Sequence, residues 1–189
     1  MSDTATWREL GSPQDVAAAL IGLYEQRGGD RYDEVISQTE HALQCGSLAM
    51  AAGADASTIT AAFLHDVGHL LAHGHDRERD LRHEVIGARF LASWFTPAVT
   101  EPIRLHVAAK RYLCAASPGY HGDLSPASAA SLVLQGGPMS EAEVAEFERE
   151  PFAGIAVDLR RWDDLAKVKD ASTPALDEFR ELMIDLINI

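Results

Sequence analysis

The chain has 189 residues, a net charge of −13, a hydrophobic fraction of 47% and a charged fraction of 24%. That is enough for one domain with a substantial core, in the composition range of ordinary globular proteins. So acidic a surface argues against a nucleic-acid backbone as partner and leaves room for an anionic small molecule only where basic residues gather. The opening MSDTATWREL has neither a basic nor an apolar signal region, and no run of about 18 apolar residues occurs. These features predict a cytoplasmic protein without a membrane span, in which Cys45 and Cys114 are reduced core thiols.

Strand signals are nearly absent and helix punctuation recurs. Ser12 as N-cap and Pro13 open a helix that Gly28 and Gly29 stop. The pattern predicts a second helix from about Glu34 to Ala52, ended by Gly53, and a third from near Ser57 that carries AAFLHDVGHL. LRHEVIGARFLASWF gives a fourth, closed before Pro97, and EPIRLHVAAKRYLCAA a fifth, stopped at Ser117-Pro118-Gly119. Residues 117–126 read as a loop, and a helix over Pro126–Gln135 follows, ended by Gly136 and Gly137. Ser140 and Glu143 have capping-box spacing before a short acidic helix. AGIAVDLRRWDDLAKV and PALDEFRELMIDLI complete an all-α bundle of eight or nine helices.

Polar side chains within apolar helices are the informative exceptions, because burying them is costly without a partner. His41, His65, His83 and His106 each fall in a different predicted helix, and a bundle can bring such residues to one central point. Any one of them alone reads more simply as a hydrogen-bonded core histidine; the set, with Asp66 beside His65, is harder to explain that way. Imidazole and carboxylate together suit iron, manganese or zinc rather than calcium. Adjacent residues of a helix diverge by about 100°, so His65 and Asp66 can serve one centre only where a helix end points at it. His73 and His75 read as cap or loop residues, and His121 as an exposed loop residue.

The order His41, His65-Asp66 and a late aspartate in LRRWDDLAK resembles the H…HD…D signature of the HD-domain superfamily. Asp163 and Asp164 compete for the last place, with Asp163 favoured. QTEHALQCG, FLHDVGH, HEVIGARFL, HVAAKRYL, LQGGPM and LRRWDDLAK, spread from about Tyr32 to Lys167, are similar to the mixed-valent diiron oxygenase branch. That branch holds myo-inositol oxygenase and the phosphonate-degrading dioxygenases acting on 2-amino-1-hydroxyethylphosphonate. The resemblance implies a single HD domain over residues 1–189, with its core at about 32–167, and two iron ions in the Fe2+/Fe3+ state. One iron would be held by His41, His65, Asp66 and Asp163, the other by Asp66, His83 and His106, with Asp66 bridging.

The resemblance further implies that His69 contacts substrate, one turn beyond His65. Lys110, one turn beyond His106, could hold a phosphonate as a point charge. Of Arg160 and Arg161, Arg160 is preferred as an anion contact, and Ser128, Ser131 and Gln135 come from the helix that resembles the phosphonate-binding element. Glu34 matches a carboxylate that meets the substrate amine; the companion tyrosine falls at Arg31, with Tyr32 beside it. The implied reaction is O2-dependent cleavage of the C–P bond of a 1-hydroxy-2-(amino or trimethylammonio)ethylphosphonate, giving phosphate and glycine or glycine betaine. Two rivals are an HD phosphohydrolase acting on a nucleotide or phosphate ester, whose ligands would overlap heavily, and an HD-like binding module without chemistry.

Overall fold

The computed structural model describes residue 7 and residues 9–29, 35–71 and 82–189. Among them are eleven helices and no strand: α1 Pro13–Arg27, α2 Gln38–Ala51, α3 Ala56–Leu64, α4 Val67–Leu71, α5 His83–Leu91, α6 Pro97–Ala116, α7 Tyr120–Asp123, α8 Pro126–Leu134, α9 Glu141–Phe147, α10 Ala153–Leu165 and α11 Leu176–Ile184. The all-α expectation holds, and nine of the helices have seven residues or more. The two short ones mark where the sequence reading erred. The helix expected to run through AAFLHDVGHL is interrupted at His65-Asp66, and the 117–126 segment contains α7 rather than loop alone.

Local signals account for most boundaries. The Ser12 hydroxyl accepts from the Asp15 N–H at 3.1 Å, and Ser37 forms a capping box with Glu40, so α2 begins after Ser37 and not at Glu34. Asp55 caps α3 by accepting from the Thr58 N–H at 2.8 Å, and the Ser140–Glu143 box opens α9 as its spacing foretold. α6 starts earlier than expected, with Pro97 at its first position and Pro102 inside it. Pro102 lacks an N–H, a defect that the tertiary packing of a long, largely buried helix outweighs.

The main core joins α1, α3 and α11: the Tyr24 and Phe63 rings lie 4.8 Å apart, and Phe63 stacks on Phe179 at 4.6 Å. Gly46 allows this, since a Cβ there would stand 2.2 Å from the Phe179 ring. α6 packs most extensively on α10 and also meets α3 and α5, while α2 lies on α3 and α10. The space between α2, α3, α5, α6 and α10 is where the polar exceptions converge.

Candidate metal centre

Each helix delivers its residue to the centre differently. His41 is one turn into α2, His106 lies midway along α6, and Asp163 sits near the end of α10. His65 and Asp66 occupy the break between α3 and α4, which resolves the geometric objection to a neighbouring pair: the helix ends there. His83 begins α5, next to Arg82 in a left-handed conformation (φ 48°). Gly68 makes His83's position possible, because a Cβ on it would meet the His83 carbonyl oxygen at 2.0 Å. All six side chains are buried.

The carboxylate of Asp66 divides between two histidine pairs. Its Oδ2 lies 3.5 Å from His65 Nε2 and 3.9 Å from His41 Nε2; its Oδ1 lies 3.3 Å from His83 Nε2 and 3.7 Å from His106 Nε2. Within each pair the Nε2 atoms face one another, at 3.3 Å for His41 and His65 and at 3.1 Å for His83 and His106. Asp163 Oδ1 joins the first pair, 3.3 Å from His41 Nε2.

Three of the four rings have their tautomer fixed from behind. His41 Nδ1 donates to the Ala166 carbonyl at 2.8 Å, His65 Nδ1 to Ala62 at 2.9 Å and His106 Nδ1 to Ile103 at 2.7 Å. The Nε2 atoms therefore present lone pairs, the arrangement of metal-ligating histidines. Behind His83 Nδ1 stands the Glu84 carboxylate at 3.7 Å. Facing lone pairs repel unless a proton or cation lies between them, and Asp66 Oδ2 is buried with no hydrogen-bond partner. The donor set thus fits two metal ions sharing Asp66. His41, His65, Asp66 and Asp163 could hold one and Asp66, His83 and His106 the other, the sets implied by the family resemblance.

Electrostatics agree with neutral ligating rings at two positions. Burial, reinforced by the neighbouring histidines, holds His106 well below its ordinary pKa, and burial lowers His65 despite Asp66. His83 is shifted up, because Asp66 outweighs its burial. Burial opposes ionisation of Asp163, but the Arg160 guanidinium and His41 outweigh it and keep the carboxyl well below the usual range.

The expected substrate contacts gather beside this centre. The His69 ring stacks on His83 with centroids 4.0 Å apart. Lys110, 3% exposed, donates to Ser131 Oγ at 2.7 Å, and Arg160 donates to Ser128 Oγ at 3.3 Å and to Asp163 at 2.7 Å. The neighbouring alternatives separate: Arg161 is exposed and pairs with Asp158, whereas Asp164 is engaged by Arg160 and the Tyr120 hydroxyl. Gln135 caps the end of α8, and its Oε1 is buried without a hydrogen-bond partner. Glu34 and Tyr32 lie outside the described residues, as do His73 and His75. His121 is exposed, as expected.

Three residues escaped the sequence reading. Cys45, read as a core thiol, is buried but lies 3.6 Å from His41 Nε2, and its Sγ stands within 4.8 Å of the His41 and His65 nitrogens. The i to i+4 spacing from His41 could have signalled it. Tyr120 reaches Arg160 from the supposed loop, and Lys167 donates to Ser125 and Ser128. Neither had a local signal.

A buried cluster of four histidines and two aspartates across a helical bundle belongs with the HD-domain proteins, and the HD-domain profile matches residues 39–134. The chain belongs to this family. It is 49% identical to the hydroxymethylphosphonate dioxygenase of Gimesia maris, over 89% of this chain and 86% of that protein. It is 38% identical to the glycine-betaine-forming [1-hydroxy-2-(trimethylamino)ethyl]phosphonate dioxygenase of Leisingera caerulea, over 92% and 91%. An uncharacterized protein of Acanthamoeba polyphaga mimivirus is 38% identical over 89% and 80%.

Proposed function

We propose that this protein is an O2-dependent dioxygenase that cleaves the C–P bond of a small 1-hydroxyphosphonate, with two iron ions in the Fe2+/Fe3+ state as cofactor. The observation that carries the reading is the Asp66 carboxylate, whose two oxygens face separate histidine pairs, with buried Lys110 one helical turn beyond His106. A bridged dimetal centre next to an anion-binding cation is what a hydroxyphosphonate needs: metals for the C1 hydroxyl and a positive charge for the phosphonate. Bound there, the irons would supply Lewis acidity toward the hydroxyl and the redox capacity to use O2. His41, His65, Asp66, His83, His106 and Asp163 would hold them; Lys110, Ser131 and Ser128 receive the phosphonate, and Arg160 borders it through its bonds to Ser128 and Asp163. His69, stacked on His83, orients the carbon end, and burial of the ligands limits water.

Hydroxymethylphosphonate is the substrate we place first. The higher identity to the enzyme of that name supports it, and so does Arg31, which stands where the amine-contacting tyrosine would fall. The reaction balances as hydroxymethylphosphonate dianion plus O2 giving formate and dihydrogen phosphate. The 2-amino and trimethylammonio compounds, giving glycine or glycine betaine, come second, supported by the Leisingera relative.

The test adds each phosphonate anaerobically to iron-loaded protein, then admits O2 and follows O2 uptake, phosphate and carboxylate. One O2 consumed per phosphate released, with formate from hydroxymethylphosphonate, is the expected result. Phosphate without O2 consumption would replace this reading with the phosphohydrolase.

A further inference from the structure

Three cations converge on one face of α8, and they are not equivalent. Arg160 is already neutralised: its Nη1 is 2.7 Å from Asp163 Oδ2, and its Nε and Nη2 both engage Asp164. Among the described residues, Lys110 and Lys167 bond to serine hydroxyls and no carboxylate forms an ion pair with either. Lys110 is fully enclosed and Lys167 half-buried. Such cations in a net-acidic protein are costly to hold together without an anion between them.

Lys167 is also held far more firmly than a surface lysine. The residue before it, Ala166, accepts the Nδ1–H of His41. The residue after it, Val168, exchanges two bonds with the Gln44 side chain, its N–H donating at 3.0 Å and its carbonyl accepting at 2.9 Å. Both anchors stand on α2, so the backbone on either side of Lys167 is tied to the helix that carries His41.

The hydrogen-bond count then shows where an anion is expected. A hydroxyl has one donor and two lone pairs. Ser128 Oγ accepts from Arg160 at 3.3 Å and from Lys167 at 3.2 Å, so its lone pairs are occupied and its O–H is unspent. Ser125 Oγ accepts from the Ser128 N–H at 3.2 Å and from Lys167 at 3.3 Å, leaving its O–H unspent as well. Of the three donors on each ammonium, Lys167 has one remaining and Lys110 two. These unspent donors match an acceptor-only ligand with several oxygens.

We propose that Lys167, with Ser125 and Ser128, forms the second cationic arm of a dianion site opposite Lys110, and that Arg160 is a positioning residue for Asp163 rather than the anion's main charge. The inference rests on the proposed function for the identity of the dianion as a phosphonate, or its phosphate product. Calorimetric titration of the iron-loaded full chain with inorganic phosphate tests it. Lys167→Met is expected to weaken phosphate binding roughly 10- to 100-fold, the range of a charge-assisted hydrogen bond, with iron content and melting temperature retained. Lys167→Gln, which keeps polar contacts to the serines, should weaken it similarly, and Lys167→Arg should recover much of the affinity. With substrate, the Lys167 variants should raise KM more than they lower kcat. Arg160→Gln is expected to lose iron.

Unchanged phosphate affinity in both Lys167→Met and Lys167→Gln would overturn the proposal. So would an Arg160→Gln protein that keeps its iron and loses phosphate more severely than the lysine variants. Phosphate binding that depends on Lys167 in a protein consuming no O2 with any 1-hydroxyphosphonate would uphold the dianion site and sink the oxygenase reading alone.

Discussion

Asp66 is the residue on which the two halves of the centre depend, and single-residue changes separate them. His83→Ala or His106→Ala should lower metal content from about two ions to about one per chain by elemental analysis, and abolish O2 uptake. Lys110 predicts the pH response. Burial, reinforced by Arg160, lowers its pKa to about 8 from an ordinary 10.5. If Lys110 meets the phosphonate as proposed, its ammonium is present below pH 8 and lost above it, so kcat/KM should fall as pH rises through about 8. Lys110→Ala should raise KM and remove that alkaline limb; an unchanged profile would assign the limb elsewhere. Stability moves the other way, since the folded chain binds fewer protons than the unfolded one between pH 8 and 10.5. At this scale the converging cluster was legible because histidines and an aspartate inside apolar helices demand a partner. Lys167 was not: a lysine just past a helix end looks solvated until the fold brings Ser125 and Ser128 to it. Cys45 was concealed by being a good core residue as well as a neighbour of His41.

Helices α3 and α4 show what pattern reading could and could not recover. Their apolar periodicity runs on through AAFLHDVGHL, so the sequence offers no breaker at His65-Asp66 and the pair looked like two faces of one helix. Gly68, two residues on, bears the consequence. It lets the start of α4 press against the His83 carbonyl, a contact between segments that spacing alone cannot reveal. Gly68→Ala adds a methyl where backbone stands 2.0 Å away, so it should cost about 1–3 kcal/mol in denaturant unfolding. It should also lower occupancy of the half-centre that includes His83. A variant as stable as the parent and fully metallated would show that the approach can relax. Helix starts were more readable, because a cap such as Ser37 or Ser140 acts within its own turn. The start of α6 was missed at Pro97 because Pro102 looked like the boundary.

The whole molecule draws its centre from four helices and the break between α3 and α4, so metal binding is expected to be linked to folding. Removing bound metal with a chelator should lower the melting temperature, and adding it back should stabilise the fold in proportion to the logarithm of free metal, about 2.7 kcal/mol at one hundred times Kd. A melting temperature indifferent to metal would mean that the bundle is complete without it. The all-α class and the convergence on one centre were legible from punctuation and from histidines spread among helices. The way α10 closes against α2 was not, since it rests on contacts such as His41 with Ala166 that join distant parts of the chain. No helix among the described residues is long and apolar enough to cross a membrane. The order of the ligands along the chain has a consequence during synthesis. As the polypeptide leaves the ribosome, both histidine pairs and Asp66 emerge well before Asp163 and the Ala166 carbonyl that steadies His41. The half-centre of His83 and His106 could be assembled on a nascent chain, whereas the His41 half must wait until α10 has been made. Metal loading would then proceed in a fixed sequence, and a chain cut short before α10 would carry a lopsided centre.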